Sequence, residues 1–382
     1  MSEEIVSAVG LRVAIFTDTY SPQVNGVVRT LERLTEAVQA RGGAVRVYTV
    51  SDNGAIEQPH IERYKSVPFW AYKELRLAWP SSRIVQRSLE NFRPTVIHAA
   101  TQFGMGLVAR RVARKLNVPF VTSYHTSLSA YAAYYRLGVL SEPGWSFLRW
   151  FHNSGLRTYC PTRAIMNEVE GHGFQNTARW SRGVDTDRFS PTFRSVPLRA
   201  SMGADDDTLV VTYVGRLAAE KGLEVVARAV QLAARMRPGK VAFACVGDGP
   251  YDAQVRQLVP AGSWLPGKLL GTKLSEAYAS GDVFLFPSTT DTFGNVMLEA
   301  MASGLPVIGA DVGPTRELLG ENRGWLVPAG DAEACAQAIV NLIDDPVRLR
   351  QAREGALEFA SQSTWNGVWN SLLTDYRTLL KS

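Results

Sequence analysis

Two carboxylates, Asp291 and Glu299, stand eight positions apart around a glycine in the stretch Ser288-Thr-Thr-Asp291-Thr-Phe293-Gly294-Asn295-Val296-Met-Leu-Glu299. A carboxylate accepts two hydrogen bonds at once, which suits vicinal sugar hydroxyls. The apolar run 283–286 predicts a buried strand, 287–295 a loop, and 296–303 a short helix stopped before Gly304 and Pro306. The start of such a helix offers unpaired N–H groups and the positive end of its dipole. Gly294 and Asn295 therefore sit where a sugar diphosphate can be received, and Glu299, placed in the first turn, faces the same ligand. A first-turn glutamate also complements the dipole without binding anything, so its neighbours decide the matter. One of them is Tyr213-Val-Gly215-Arg216-Leu-Ala-Ala-Glu-Lys221-Gly222, which sets two cations five residues apart on a strand-to-helix loop. Breaking a sugar–diphosphate bond leaves growing negative charge on the phosphates, and an arginine fork plus a lysine point charge stabilise it without a metal. A third loop, Thr17-Asp18-Thr19-Tyr20-Ser-Pro22-Gln-Val-Asn25-Gly26, follows the first predicted strand and opens a helix, and Gly26 permits close approach of the backbone. Together these residues read as a nucleotide-sugar site.

The same motifs resemble the signature of retaining glycosyltransferases of family four, which have the GT-B fold. Where that family carries glutamate, seven residues and glutamate, this chain has Asp291, residues 292–298 and Glu299; the family's Gly-Arg-Leu…Glu-Lys-Gly element is matched at 215–222. The resemblance implies that Glu299 binds the ribose hydroxyls and Asp291 a hydroxyl of the transferred sugar. Phe293, Gly294, Asn295 and the adjoining Val296 would hold sugar and phosphate, and Arg216 and Lys221 the departing diphosphate. The Gly26 loop would close over diphosphate and acceptor. His125, in Val121-Thr-Ser-Tyr-His125, occupies the position of the family's active-site histidine, and Arg182, in the segment 182–189, would contact acceptor or donor. The stretches 17–26 and 290–294 resemble most the GDP-mannose-dependent α-mannosyltransferases and the sulfoquinovosyl-diacylglycerol synthases, both of which act on lipids. The implied activity is retaining transfer of a hexose, mannose first, from GDP-mannose or a UDP-sugar to a lipid or glycolipid hydroxyl, with no required metal or other cofactor. Sulfoquinovosyl or glucosyl transfer to diacylglycerol is the alternative. A nucleotide-sugar epimerase or a non-catalytic binder of the same fold would carry the same donor motifs.

The elements that must position these residues alternate along the chain. Apolar runs at 12–16, 44–48, 96–98 and 119–122, then at 209–214, 241–246, 283–286, 306–308 and 324–327, are separated by helical stretches. This predicts a doubly wound α/β arrangement twice over, with residues 1–188 as an acceptor-binding Rossmann-like domain and 189–382 as the nucleotide-sugar domain. The segment between Asp185 and Leu209, rich in proline, glycine and aspartate, interrupts all periodicity. By resemblance, a last helix at about 364–380 crosses back onto the first domain and the two domains face a cleft.

Length agrees with two domains, since 382 residues exceed what one small core needs. Net charge is +5, but residues 1–185 hold 22 Lys+Arg against 14 Asp+Glu and residues 186–382 hold 19 against 22, so the halves carry +8 and −3. A basic first half suits anionic lipid, nucleic acid or plain solvation. Aromatics mixed with cations at 68–80 and 145–151 suit a membrane interface and equally suit packed core edges, with lipid slightly preferred, and no nucleic-acid partner is expected. No apolar run approaches the roughly 18 residues that cross a bilayer, and the start Met1-Ser-Glu-Glu-Ile5 lacks a basic region followed by an apolar core. Cytoplasmic residence, with peripheral attachment to the inner face of the cell membrane, is the expectation. Cys160, Cys245 and Cys335 lie in apolar contexts and read as buried free thiols.

Three further patterns carry less chemistry. His98 ends a strand and reads as structural or cleft-lining, while His60, His152 and His172 show no ligand spacing. Gly104-Met-Gly106-Leu-Val-Ala109 fits a dinucleotide fingerprint but lacks the acid expected about 20 positions on, so helix packing explains its glycines. Asp185 and Asp187 suit a turn better than a divalent metal.

Overall fold

A parallel sheet covered on both faces buries nearly every side chain of its strands, which is why the apolar runs of the sequence become strands. The computed structural model describes residues 5–23, 25–69, 72–125 and 142–381, with backbone alone at 69 and 72–75. These residues form two units: one takes the described residues through Ser181 together with those from Asn366 onward, and the other is Arg182–Trp365.

In the first unit, strands β1 (Arg12–Thr17), β2 (Ala44–Val50), β3 (Ile61–Tyr64), β6 (Val96–Ala99), β7 (Phe120–Ser123), β8 (Arg157–Cys160) and β9 (Thr177–Arg179) form one sheet. Its order is β3-β2-β1-β6-β7-β8-β9, every pair parallel. A separate antiparallel ribbon joins β4 (Val67–Phe69) to β5 (Tyr72–Leu77). The helix Gly26–Ala40 follows β1; Asn25 caps it, its side-chain oxygen accepting from the Val28 N–H at 2.9 Å. The last helix, Trp365–Leu379, packs its Tyr376 and Asp375 against β6 and β8: the Tyr376 hydroxyl reaches His98, and Asp375 pairs with Arg157 at 3.1 Å.

Asp18, just past β1, is fully buried and caps another helix, Gly104–Leu116. One carboxylate oxygen accepts from the Met105 N–H at 2.9 Å and the other from the Thr101 hydroxyl at 2.6 Å. This close approach explains the glycines of that helix: a Cβ on Gly104 would lie 2.6 Å from an Asp18 oxygen, and one on Gly106 would lie 1.9 Å from the Thr101 carbonyl.

The second unit carries β10 (Leu209–Val214), β11 (Val241–Val246), β12 (Trp264–Gly267), β13 (Val283–Phe286), β14 (Val307–Ala310) and β15 (Gly324–Val327). The sheet order is β12-β11-β10-β13-β14-β15, again all parallel. Its helices cover both faces over a core that includes Val211, Tyr213, Phe243, Phe284, Phe286, Met297 and Ile339. Asp282, at the foot of β13, ties this unit together. It accepts from Arg194 at 2.9 Å, from Arg199 and Arg353 at 2.8 Å each, and from the Val210 N–H at 2.9 Å. Burial works to raise this carboxyl, and the guanidiniums and the N–H outweigh it, holding Asp282 below the usual carboxylate range. All three cysteines are buried free thiols, and Asp185 caps a turn by accepting from the Arg188 N–H at 3.1 Å.

Two outcomes follow from these buried acids. Replacing Asp282 with alanine strands the buried Arg199 cation and its two neighbours, and should cost about 3–5 kcal/mol in urea unfolding of the second unit. Asp18 has no cationic partner among the described residues, and burial, countered in part by Thr101 and the Met105 N–H, pushes it up to about 6. With an unfolded value near 3.9, its contribution is complete below pH ~4 and is lost as the pH rises through about 6. Asp18→Asn should therefore gain about 2 kcal/mol on the natural chain between pH 4.5 and 7.5, read from urea midpoints at the two pH values.

Candidate donor site

The loop after β10 holds both predicted cations. Its backbone is pinned from the side by the neighbouring β11 loop: the Gly215 N–H donates to the Val246 carbonyl at 3.0 Å, the Leu217 N–H to the Asp248 carbonyl at 2.8 Å, and the Tyr251 N–H to the Leu217 carbonyl at 2.9 Å. Only glycines allow this. A Cβ on Gly247 would meet the Gly215 carbonyl at 1.9 Å, and one on Gly249 the Leu217 carbonyl at 2.3 Å; both residues also take positive φ, 152° and 155°. Gly247 and Gly249 thus buttress the cation loop and are residues that the sequence reading missed, although a Gly-x-Gly directly after a strand was there to signal them. Below the loop, the buried Tyr213 hydroxyl donates to the Arg216 carbonyl at 3.2 Å.

The second loop follows β13, the other neighbour of β10, and this adjacency brings Lys221 to Asp291. The lysine Nζ lies 2.8 and 3.0 Å from the two carboxylate oxygens, and the Ser288 hydroxyl donates to the same carboxylate at 2.6 Å. The side chains of Lys221 and Asp291 are 14% and 25% exposed, so the pair is largely withdrawn from water while part of each group stays reachable. The cation expected to meet a diphosphate and the carboxylate expected to meet a sugar therefore orient one another.

Gly294 takes φ 81° and is the N-cap of the helix Asn295–Ala302, with the buried Phe293 before it. The helix begins one residue earlier than the sequence pattern suggests, because the left-handed glycine turns the chain directly into it. As a consequence Glu299 is in the second turn, not the first, and dipole complementation does not account for it. Its carboxylate accepts from the Tyr278 hydroxyl at 3.0 Å, a partner brought from the helix Gly271–Ala279 that sequence spacing gave no means of finding. Thr290 Oγ1 and Asn295 Oδ1 are buried with no hydrogen-bond partner among the described residues, and Asn295 and Val296 supply the first amides of the helix. Polar atoms of this kind, beside a helix start, a lysine and two carboxylates, suit a hydroxyl-rich anionic ligand. Residues 268–272 span the junction from β12 into the helix Gly271–Ala279, with Leu270 exposed.

Gly26 and His125 belong to the first unit. Gly26 is the exposed first residue of its helix, and His125 follows β7 with its ring Nε2 2.8 Å from the Ser123 hydroxyl. Arg182 opens the second unit and is buried, which pushes its guanidinium down to about 10. Of the aromatics at 145–151, Trp145 and Phe151 are core, with Trp145 stacked on His172 at 3.6 Å, and they offer nothing to a membrane; Trp150 is exposed, with Arg110 4.0 Å above its ring. In the other stretch Trp79 is exposed, whereas Trp70 and Ala71 lie outside the described residues. Among the described residues no helix is long and apolar enough to cross a membrane.

Comparison with known proteins matches residues 24–188 to a family described as glycosyltransferase family 4 and residues 208–345 to glycosyl transferases group 1. The chain is 34% identical to a GDP-mannose-dependent alpha-mannosyltransferase of Mycobacterium tuberculosis, covering 97% of each chain. It is 33% identical to the sulfoquinovosyl transferase SQD2 of Arabidopsis thaliana, covering 96% of this chain and 72% of that one. Among solved structures, sucrose-phosphate synthase of Thermosynechococcus elongatus superposes with a TM-score of 0.76 at 20% identity, over 97% of this chain and 99% of that chain. Anabaena Alr3699/HepE, solved with UDP-glucose, gives 0.76 at 21%, over 96% and 99%. With two Rossmann-like sheets, the second carrying a donor-type constellation, and relatives alike over nearly the whole of this chain, the chain belongs to glycosyltransferase family 4 and is a glycosyltransferase of GT-B fold.

Proposed function

We propose that this glycosyltransferase moves a hexose, mannose first, from a nucleotide-sugar donor to a hydroxyl of a lipid or glycolipid acceptor with retention of anomeric configuration and without a metal. The observation that carries the donor half is the contact of Lys221 with both oxygens of Asp291, beside the helix start at Asn295. The acceptor half rests on the relatives, named as a GDP-mannose-dependent mannosyltransferase and a sulfoquinovosyl transferase. In this reading Glu299, steadied by Tyr278, accepts from the ribose hydroxyls. Asp291 accepts from the sugar, and Arg216 and Lys221 take up the charge of the departing diphosphate. His125 and the Gly26 loop are the first unit's contribution. The acceptor oxygen bonds to the anomeric carbon as the carbon–phosphate oxygen bond breaks on the same face, and the acceptor proton passes to the leaving phosphate oxygen. The first unit is the acceptor domain and the second the donor domain. Cytoplasmic residence, with attachment to an anionic membrane surface, completes the proposal. Exposed Trp79 and Trp150 support that attachment. A second reading, sulfoquinovosyl or glucosyl transfer from a UDP-sugar to diacylglycerol, is favoured by the likeness to sulfoquinovosyl transferase SQD2.

Purified protein incubated in chelator with GDP-mannose, UDP-glucose or UDP-sulfoquinovose, and with anionic vesicles containing diacylglycerol, tests this directly. A glycolipid found by mass from GDP-mannose supports the first reading, and one from a UDP-sugar supports the second. An isomerised nucleotide sugar with no transfer product means epimerisation, and donor binding with no turnover means a binder. Arg216→Ala should lower kcat about 10²–10³-fold while donor binding persists, the usual scale for losing one preorganised charge donor. Lys221→Ala and Asp291→Ala, singly and together, should give a coupling energy of about 1–2 kcal/mol in thermal unfolding, above the ~0.2–1 kcal/mol of exposed pairs.

A further inference from the structure

A row of three hydrogen bonds runs through the first unit and ends on His125. The Tyr376 hydroxyl lies 2.6 Å from His98 Nδ1, His98 Nε2 lies 2.9 Å from the Ser123 hydroxyl, and that hydroxyl lies 2.8 Å from His125 Nε2. Tyr376, His98 and Ser123 are at most 1% exposed. The His98 ring sits among Tyr159, Trp180 and Tyr376, with centroids at 5.7, 5.5 and 6.0 Å. Burial pushes His98 down to about 3, so at neutral pH it carries one ring proton and one lone pair. The charged groups nearby, Asp375 and Arg157, are occupied with each other and with the Tyr159 hydroxyl.

A neutral imidazole between two hydroxyls can pass hydrogen bonds in only one sense at a time. If His98 donated from Nδ1, the buried Tyr376 hydrogen would need another acceptor, and His98 is the only hydrogen-bond partner of that hydroxyl among the described residues. Leaving a buried donor unpaired costs most of its desolvation penalty, so that arrangement is disfavoured. The satisfied sense has Tyr376 donating to His98 Nδ1, His98 Nε2–H donating to Ser123, and Ser123 donating to His125 Nε2.

We propose that Tyr376, His98 and Ser123 form a directional relay that holds His125 as its Nδ1–H tautomer and fixes the plane of its ring. This makes Ser123 a positioning residue for glycosyl transfer. The proposal rests on His125 being an active-site residue, as read above. A ring whose Nε2 is committed to Ser123 keeps its N–H on Nδ1, so His125 meets whatever lies on that side as a hydrogen-bond donor. A donor there suits the hydroxyl or carbonyl oxygen of a sugar or acceptor, whereas a base would need the opposite tautomer.

The test combines nitrogen NMR of histidine-labelled protein with steady-state kinetics on GDP-mannose, or on whichever UDP-sugar gives product. The natural chain should show His125 in the Nδ1–H form. Ser123→Ala should mix the two tautomers and lower kcat about tenfold, less than the ~10²–10⁴-fold of losing a proton-handling group outright because the imidazole itself remains, with donor KM unchanged. Ser123→Thr, which keeps the hydroxyl, should restore both, and Tyr376→Phe should mix the tautomers from the far end. A His125 spectrum that is mixed in the natural chain, or unchanged in Ser123→Ala, overturns the relay. His125→Ala with undiminished kcat overturns the active-site reading instead, and the spectrum then still decides whether the relay exists.

Discussion

Parallel pairing is the constraint on which this structure depends. When every strand of a sheet points the same way, every loop that follows a strand emerges at the same edge, and neighbouring strands make their loops neighbours. In the second unit β10 lies between β11 and β13, so the cation loop, the Gly247–Gly249 buttress and the Asp291 loop converge although they are far apart in the chain. Each strand must then be returned by a crossover, which demands helices with one apolar face and yields the alternating pattern of the sequence. The contact between Lys221 and Asp291, 70 residues apart, is a product of strand order and not of any local signal.

The same constraint explains what could be read in advance. Strands buried on both faces, such as β10, β11 and β13, announce themselves as apolar runs. Three of the four edge strands do not, β15 being the exception: β3 carries Glu62 and Arg63 in half-exposed positions, β9 is three residues long, and β12 contains a proline, which an edge tolerates. In the site, residue types were legible where chemistry and motif coincide, at Asp291, Glu299, Arg216 and Lys221. Partners contributed by other elements, such as Tyr278 for Glu299, were not, because nothing in local spacing encodes a contact made across a sheet or between helices. The start of the helix at Asn295 depended on the left-handed conformation of Gly294, which a glycine permits without announcing.

Three buried ionisable residues are satisfied in three different ways. Asp282 is kept charged by three guanidiniums and a backbone N–H, an arrangement that holds strand, helices and loop to one point. Asp18 has only a hydroxyl and an amide, enough to fix the start of a helix but not to hold its charge at the ordinary cost. His98 is neutral and spends its two nitrogens on direction instead of charge. Burial is similar in each case, and the number and charge of the partners decide what the residue becomes.

Tyr376 lies 278 residues beyond His98, on the last helix, and this separation bears on how the protein comes into being. Synthesis runs from the N-terminus and domains form as units while the chain emerges. The strands of the first unit through β9 leave the ribosome before any strand of the second, yet His98 meets its tyrosine only after the whole of the second unit has been made. The second unit has no such wait: Lys221, Tyr278, Asp291 and Glu299 emerge within a single continuous stretch. The half that carries His125 is therefore begun first and finished last.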